Sequence, residues 1–500
     1  MYTQPGPATH SPHALLVTAS LPSLLNTTYV SNAMGRKHQP KGPKRIRTVQ
    51  GSCWPCRSRR VMCDLQQPIC QKCAKADVAC NYNKRLLKWQ DSLASRGYLA
   101  GKTIPLRDSA STQDSGISSL SASQQDAFDY FRQKVWPLLF VGGVKSSVPF
   151  TLALKSPPLL WAILALATTH KSSQSETSEL QIESEQARLA CISSLRVQLA
   201  KGTKDEEQSR AVVMTSIFLC MLDGYLNPQY DMAATTEHQL GAQAVINILG
   251  GPLEAISRAA PNELILLSEF ASMDLSRALI IGERPYIIPD IWSKFDCGRS
   301  WWEDIGGLES LAVIFKELAQ MAHYALDCAE NPSSEVSVEK VQCFEFNLQA
   351  PLKEISLYSG VQEDTHDPAQ HHRHMEAQSL FRAFRYCALI YLYRAICKLP
   401  TNHRLVQHRV QQSLESLSML SEQAGYQTCA LFPYCVAGAH SISDFHRETV
   451  MKNLDTIEVQ LQFGNIKVLQ RYLRALWKPG GQDGDWFQMF KEFSKGVYIL

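Results

Sequence analysis

The chain has 500 residues, an apolar share of 45% and a formal net charge of +3. Its length exceeds what one hydrophobic core usually organises, so two or more structured regions joined by linkers are expected. No apolar run approaches the roughly 20 residues of a membrane span, and the longest, Pro158–Thr168, is about half that length, so the sequence predicts no membrane partner.

Charge is unevenly spread along the chain. Between Arg36 and Lys88 there are 14 basic residues and two acidic ones, a balance of +12 that leaves −9 for the remainder. A polyanion-binding segment attached to a mildly acidic body has this distribution.

Residues 1–35 are rich in Ser, Thr, Pro and Ala without periodicity and are predicted to be disordered. They carry no basic n-region leading into an apolar h-region, which argues against secretion and for a reducing compartment. Met34, just ahead of the basic run, is a candidate alternative start. Residues 36–50 form a basic segment in which Arg36, Lys37, Lys41, Lys44, Arg45 and Arg47 are candidates for nuclear import. Lys44, Arg45 and Arg47 are also candidate phosphate contacts, and a merely solvated charge run is the alternative.

Six cysteines follow within residues 51–84, in the order Cys53-x2-Cys56-x6-Cys63-x6-Cys70-x2-Cys73-x6-Cys80. At the cysteine frequency of this chain the chance of such a register is roughly 10⁻⁸ from a given start, so accident is excluded. Thiolates are soft ligands that hold zinc tetrahedrally, and a two-residue gap lets both sulfurs of a Cys-x2-Cys pair meet one metal. Two tetrahedral zincs need eight ligand positions. Six thiolates suffice only if two of them bridge, which favours a shared two-zinc cluster over separate sites. A disulfide knot would suit a secreted chain, and this one has no signal for secretion.

This segment resembles the fungal binuclear zinc-cluster DNA-binding domain and matches its cysteine spacing without a gap. The resemblance implies two thiolate-bridged Zn2+ ions with Cys53 and Cys70 as bridges, a turn proline at Pro68, and double-stranded DNA as the partner. It also implies that Arg59 and Arg60 point into the major groove to read a CGG-like triplet, while Arg57 meets phosphate. Arginine's planar fork can bond guanine O6 and N7 or a phosphate equally well. Met62 stands where the family commonly has a lysine, so one expected contact is missing. Lys72 and Lys75 are read as phosphate contacts or as solvated lysines. Trp54 and the stretches 85–89 and 94–101 resemble a subgroup known from acriflavine-resistance-type regulators.

Residues 85–123 read as a short extension followed by a Ser-rich flexible linker with no sustained heptads, so no coiled-coil dimerisation arm is expected beside the cysteine module. From 124 to 500 the period is helical, best over 158–170, 182–199, 211–222, 237–249, 263–281, 308–328, 377–397 and 409–422. Gly250-Gly251-Pro252 reads as a helix stop. The predicted fold is therefore mostly α, with a small two-zinc cysteine domain, a flexible linker and a large all-α regulatory domain. Pro158–Ala162, His238–Ala242, Leu249–Gly251, Leu431–Pro433 and Ala437-Gly438 resemble the fungal-specific transcription factor domain that accompanies these clusters.

The reading that results is a nuclear transcription factor acting at RNA polymerase II promoters, with the transcription machinery as partner and a possible homodimer through the helical body. Rival readings are a DNA-binding or interaction protein without sequence preference, and an enzymatic or ligand-binding role for the body. No Walker loop, nucleophile elbow, dinucleotide fingerprint or His-Glu-x-x-His occurs, so no enzyme is expected. His366, His371, His372 and His374 lie in Thr365–Met375, which reads as an exposed loop. Asp483–Phe487 reads as the start of a final amphipathic helix, with an acidic and aromatic activation surface as the alternative. The nine cysteines outside the cluster, among them Cys220, Cys387 and Cys397, read as buried thiols.

Overall fold

The computed structural model describes residues 52–53, 55–56, 59, 61–80 and 82 in the N-terminal part. It then describes 120–493, apart from 140–147, 176–177, 204, 229–232, 296–299, 304, 306–309, 332–334, 350–367, 422–424 and 492. The expectations for residues 1–35 and 36–50, and for 85–123 up to residue 119, lie outside the described residues; at the end of that linker, Ala122 and Ser123 already belong to a helix. The chain divides into two compact units, Met1–Leu86 with Thr103–Pro105, and Leu87–Lys102 with Leu106–Leu500.

Among the described residues of the first unit, Gln71–Ala74 form a short helix, α1, whose N-terminus is capped by the Cys70 sulfur accepting from the Cys73 amide. Its interior consists of sulfur. Cys53, Cys56, Cys63, Cys70 and Cys73 are buried together, with Cys80 and Tyr82 against them. The aliphatic side chains that would ordinarily form a core lie outside, Met62 at 61% and Ile69 at 56% exposure. Hydrophobic burial therefore contributes little here, and this unit needs a cross-link among its thiols to stay folded.

The second unit is helical, with no strand among the described residues. Helix α2 (Ala122–Tyr130) is closed by a capping box between Ser121 and Gln124 and runs through a π-turn into α3 (Trp136–Leu139). After α4 (Phe150–Lys155) comes α5 (Pro157–Gln174), with proline in its first turn, where the missing N–H costs nothing. From Leu159 to His170 this helix is buried on nearly every face, the pattern of a central helix, and α6 (Ser178–Lys201) folds back along it.

Next, α7 (Glu206–Met221), capped by Asp205, pairs with α8 (Ala233–Ile248). Gly250 and Gly251, at φ of 100° and 90°, end α8 where a side chain would be strained, and Pro252 opens α9 (Pro252–Arg258). The buried α10 (Pro261–Ile281) closes on left-handed Gly282. Helices α11 (Leu311–Glu330), α12 (Val338–Gln349), α13 (Pro368–Tyr391) and α14 (Arg404–Leu417) follow, α13 and α14 packing as a pair. Then come α15 (Leu431–Ala439), α16 (Asp444–Leu461), α17 (Gly464–Leu476) and the short α18 (Trp486–Phe490).

The eight segments read from periodicity all overlap helices, although 409–422 runs past a helix end at Leu417 and 308–328 begins ahead of a helix start at Leu311. Three details differ from the sequence reading. Met375 and the three described histidines of Thr365–Met375 belong to helix rather than loop, because Pro368 opens α13 and a first-turn proline starts a helix as readily as it ends one. Not all lone cysteines are buried: Cys343 is exposed, and Cys328 and Cys397 are half-buried. Glu206–Leu226 is long and apolar enough to cross a membrane by composition, but 94% of its window is buried inside the body. The final segment does form a helix, and Trp486 is wholly buried, its Nε1 donating to Leu279 O at 2.7 Å.

Several ionisable groups sit between these helices. Arg188 donates two bonds to Asp223, at 3.0 and 2.9 Å, and His238 Nε2 stands 3.3 Å from the same carboxylate. Burial works against the Asp223 charge, but the Arg188 guanidinium and the hydrogen bonds to the carboxylate outweigh it and hold the carboxyl below its usual range. Among the described residues no cation shifts Glu269. It accepts from the Tyr225 hydroxyl at 2.5 Å, and burial pushes its pKa up to about 8. The Asp274 carboxyl, bonded by Gln239, Gln243 and the Ile287 amide, is pushed up by burial to about 6.

A raised carboxyl pKa stabilises the fold while both states are protonated, and that contribution is lost as pH rises. For Glu269 the loss begins near the unfolded value of about 4.3 and is complete near the folded value, at up to about 1.4 kcal/mol per pH unit. Glu269→Gln keeps an acceptor for Tyr225 without the charge. Denaturant unfolding between about pH 5 and pH 8 should show the wild-type body losing stability relative to this variant as pH rises. Parallel curves would show that Glu269 does not hold its proton in the fold.

Candidate metal centre

Pro55 and Cys56 are helical, and the Arg59 amide donates to Pro55 O at 3.1 Å, which starts the first half of the module at Cys53 and Cys56. The second half is α1 with Cys70 and Cys73. The Gln67–Pro68 peptide between them is cis. Asp64 accepts the Gln71 amide at 3.1 Å, and the Tyr82 hydroxyl donates to Gln66 O at 3.0 Å while lying 3.5 Å from Cys63 Sγ. These two side chains fasten the loop to the cysteines. Neither was singled out from the sequence, where nothing but their place within the cluster marks them.

The sulfurs fall into two sets of four. Cys53, Cys56, Cys63 and Cys70 form one, and Cys53, Cys70, Cys73 and Cys80 the other, the sulfurs of each lying within 4.8 Å of one another. The sets share Cys53 and Cys70. Sulfur separations are 3.6 Å for Cys53–Cys70, 3.5 Å for both Cys53–Cys73 and Cys56–Cys70, and 3.8 Å for Cys53–Cys63. Thiolates bound at about 2.3 Å around a tetrahedral zinc stand about 3.8 Å apart, whereas a disulfide needs about 2.05 Å. All six are free thiols. Spacing, donor type and count thus fit two zinc ions held by six thiolates.

The electrostatics agree. Burial pushes the Cys53 thiol well above its ordinary range and Cys56 up to about 12. Cys70 goes down to about 6, because donation from the Cys73 amide and from neighbouring thiols outweighs its burial. Six thiolates this close repel one another, so they ionise together only with compensating cations, and metal binding must displace their protons. No further metal-capable group forms among the described residues. His371, His372 and His374 line the exposed start of α13, where His372 Nε2 meets Glu376 at 3.4 Å and His374 Nε2 meets Gln378 at 2.9 Å. His366 lies outside the described residues.

Of the candidate DNA contacts, Arg59 and Lys72 are described, and both are exposed. The Arg59 guanidinium folds back onto the cysteines, donating to Lys72 O at 3.2 Å and lying against Cys73 and Cys56 Sγ at 3.6 and 3.9 Å. Lys75 is also exposed. Arg57, Arg60, Lys44, Arg45 and Arg47 lie outside the described residues, as do the import candidates Arg36, Lys37 and Lys41.

Comparison with known proteins places families on both units. Residues 51–90 match the fungal Zn(2)-Cys(6) binuclear cluster domain, and residues 127–500 match the fungal specific transcription factor domain. The chain is 35% identical over 97 residues, 19% of its length, to the arginine metabolism regulation protein II of Saccharomyces cerevisiae, of which this covers 11%. It is 32% identical over 80 residues to the phomenoic acid biosynthesis cluster-specific transcriptional regulator of Leptosphaeria maculans, covering 15% of each chain. The matched stretch thus spans well under a fifth of either relative. No solved structure matches the chain.

Elemental analysis of the purified full-length chain should find about two zinc ions per molecule. Because Cys53 and Cys70 belong to both sets, Cys70→Ser should lose both metals, whereas Cys80→Ser, which touches one set, should retain about one. Equal retention in the two variants would contradict a shared cluster.

Proposed function

Because the chain belongs to the fungal specific transcription factor domain family, we propose that it is a nuclear, zinc-dependent DNA-binding regulator that reads CGG-like triplets at RNA polymerase II promoters. The observation that carries this reading is the pair of sulfur sets sharing Cys53 and Cys70, within a segment whose local charge is +12. In this reading Cys53, Cys56, Cys63, Cys70, Cys73 and Cys80 hold two zinc ions, with Cys53 and Cys70 as bridges. Zinc supplies a structural cross-link here.

Arg60, on the basic stretch that starts at the Cys56 anchor, reads guanine through its planar fork. Arg57, Lys72, Lys44, Arg45 and Arg47 neutralise phosphates and set the register, and Arg36, Lys37 and Lys41 join the basic segment that directs nuclear import. The helical body contacts the transcription machinery and provides any homodimer surface. Both relatives are named as regulators of metabolism or biosynthesis, which supports a metabolic gene set as the target.

The test is binding of single variants to a triplet-bearing duplex and to random DNA. Arg60→Ala should cost about 1–3 kcal/mol on the triplet and narrow the gap to random sequence, whereas Lys44→Ala should weaken both alike and lower the salt dependence. Equal losses for Arg60→Ala on both probes would favour attachment by charge alone.

A further inference from the structure

We propose that Arg59 is a positioning residue of the two-zinc core, a guanidinium clamp joining its two halves, rather than a reader of bases. The inference rests on the two-zinc reading above.

Arg59 makes four contacts. Its Nε donates to Pro55 O at 3.3 Å, and its Nη2 donates to Lys72 O at 3.2 Å and lies 3.6 Å from Cys73 Sγ and 3.9 Å from Cys56 Sγ. Pro55 and Cys56 belong to the first half of the module, Lys72 and Cys73 to the second. Cys56 and Cys73 also belong to different sulfur sets, each to one only, and their sulfurs are 3.9 Å apart. One guanidinium thus touches both metal sets and both halves of the chain.

The chemistry gives this placement a purpose. Six thiolates around two Zn2+ ions leave a net charge of about −2 on the core. N–H···S donation from a cation withdraws charge from the sulfurs and lowers their affinity for protons, which compete with zinc. Arginine suits the task because its rigid fork presents several donors at once, so one side chain reaches a carbonyl and two sulfurs. The backbone dictates the direction. Arg59 is three residues beyond Cys56 in a turn of helix, a spacing that brings both side chains to one face. A base reader would have to give up these bonds before it could enter a groove.

The experiment uses the full-length, zinc-loaded chain and three variants, Arg59→Ala, Arg59→Lys and Arg60→Ala. Zinc transfer to a metallochromic chelator, the thiolate-to-metal charge-transfer band of the cobalt(II)-substituted protein, and the ratio of triplet to random DNA affinity at saturating zinc are measured for each. Arg59→Ala should weaken zinc retention by about 10–100-fold and shift the cobalt band, with the DNA ratio unchanged. Arg59→Lys, which keeps the charge but not the fork, should fall between, and it remains informative if the alanine variant does not fold. Arg60→Ala should do the reverse, keeping zinc and losing the ratio. Wild-type zinc retention in both Arg59 variants would overturn the clamp, and a collapse of the DNA ratio at saturating zinc would overturn the exclusion from base reading. If the wild-type chain retained no zinc, the two-zinc reading itself would fail first.

Discussion

The N-terminal unit depends on one constraint: six sulfurs held in two overlapping sets, each within 4.8 Å, with almost no hydrocarbon around them. At that spacing the thiols neither form disulfides nor ionise freely, and with Val61, Met62, Leu65, Ile69 and Val78 exposed, the described residues of the unit form no apolar core beside the sulfurs. Two shared metals meet both needs, because they neutralise the thiolates and replace the missing apolar core. The surrounding polar contacts serve the same geometry. Asp64 fixes the start of α1, Tyr82 fixes the loop near Cys63, and Arg59 spans the two halves. A module organised in this way can present a densely basic surface, since its core is made by the thiols and not by packing of its outward aliphatic side chains.

The helical unit is built on the opposite plan. Central helices such as α5 and α10 are buried on almost every face, and of the polar groups carried inside, Thr168 and Ser276 bond to their own helix while Glu269 and Asp274 are paired across helices. Arg188 with Asp223, and Tyr225 with Glu269, tie α6, the turn after α7 and α10 to one another. The C-terminal segment completes the packing. Trp486 stacks on His440 at 5.4 Å, and Gly282 leaves room for Phe487, whose ring would stand 3.1 Å from a Cβ at that position. The two aromatic residues of the run 483–487 are therefore held by this body, Trp486 in its core and Phe487 half-buried against Gly282, while Asp483 stays exposed.

The cysteine register was legible because ligand spacing is a local property, and so were the long helices, where enough residues repeat to show a period. Short helices such as α4 and α9 were not, since fewer than eight residues give too little periodicity. Helix α13 was read too late because Pro368 followed by histidines resembles a polar loop until the proline is recognised as a first-turn residue. The contacts of Arg59 were beyond reach for another reason. Arginine serves a base, a phosphate or a sulfur equally well, and only the juxtaposition of Cys56, Lys72 and Cys73 in three dimensions selects among them.

The central claim is that thiolate-bound zinc organises a sequence-reading surface. Its most direct test is selection from a pool of random duplexes by the purified full-length chain, zinc-loaded in one arm and metal-stripped in the other. Enrichment of a common CGG-like triplet by the loaded protein alone is the result this account predicts. No enrichment in either arm, or equal enrichment after the metal is removed, would contradict it.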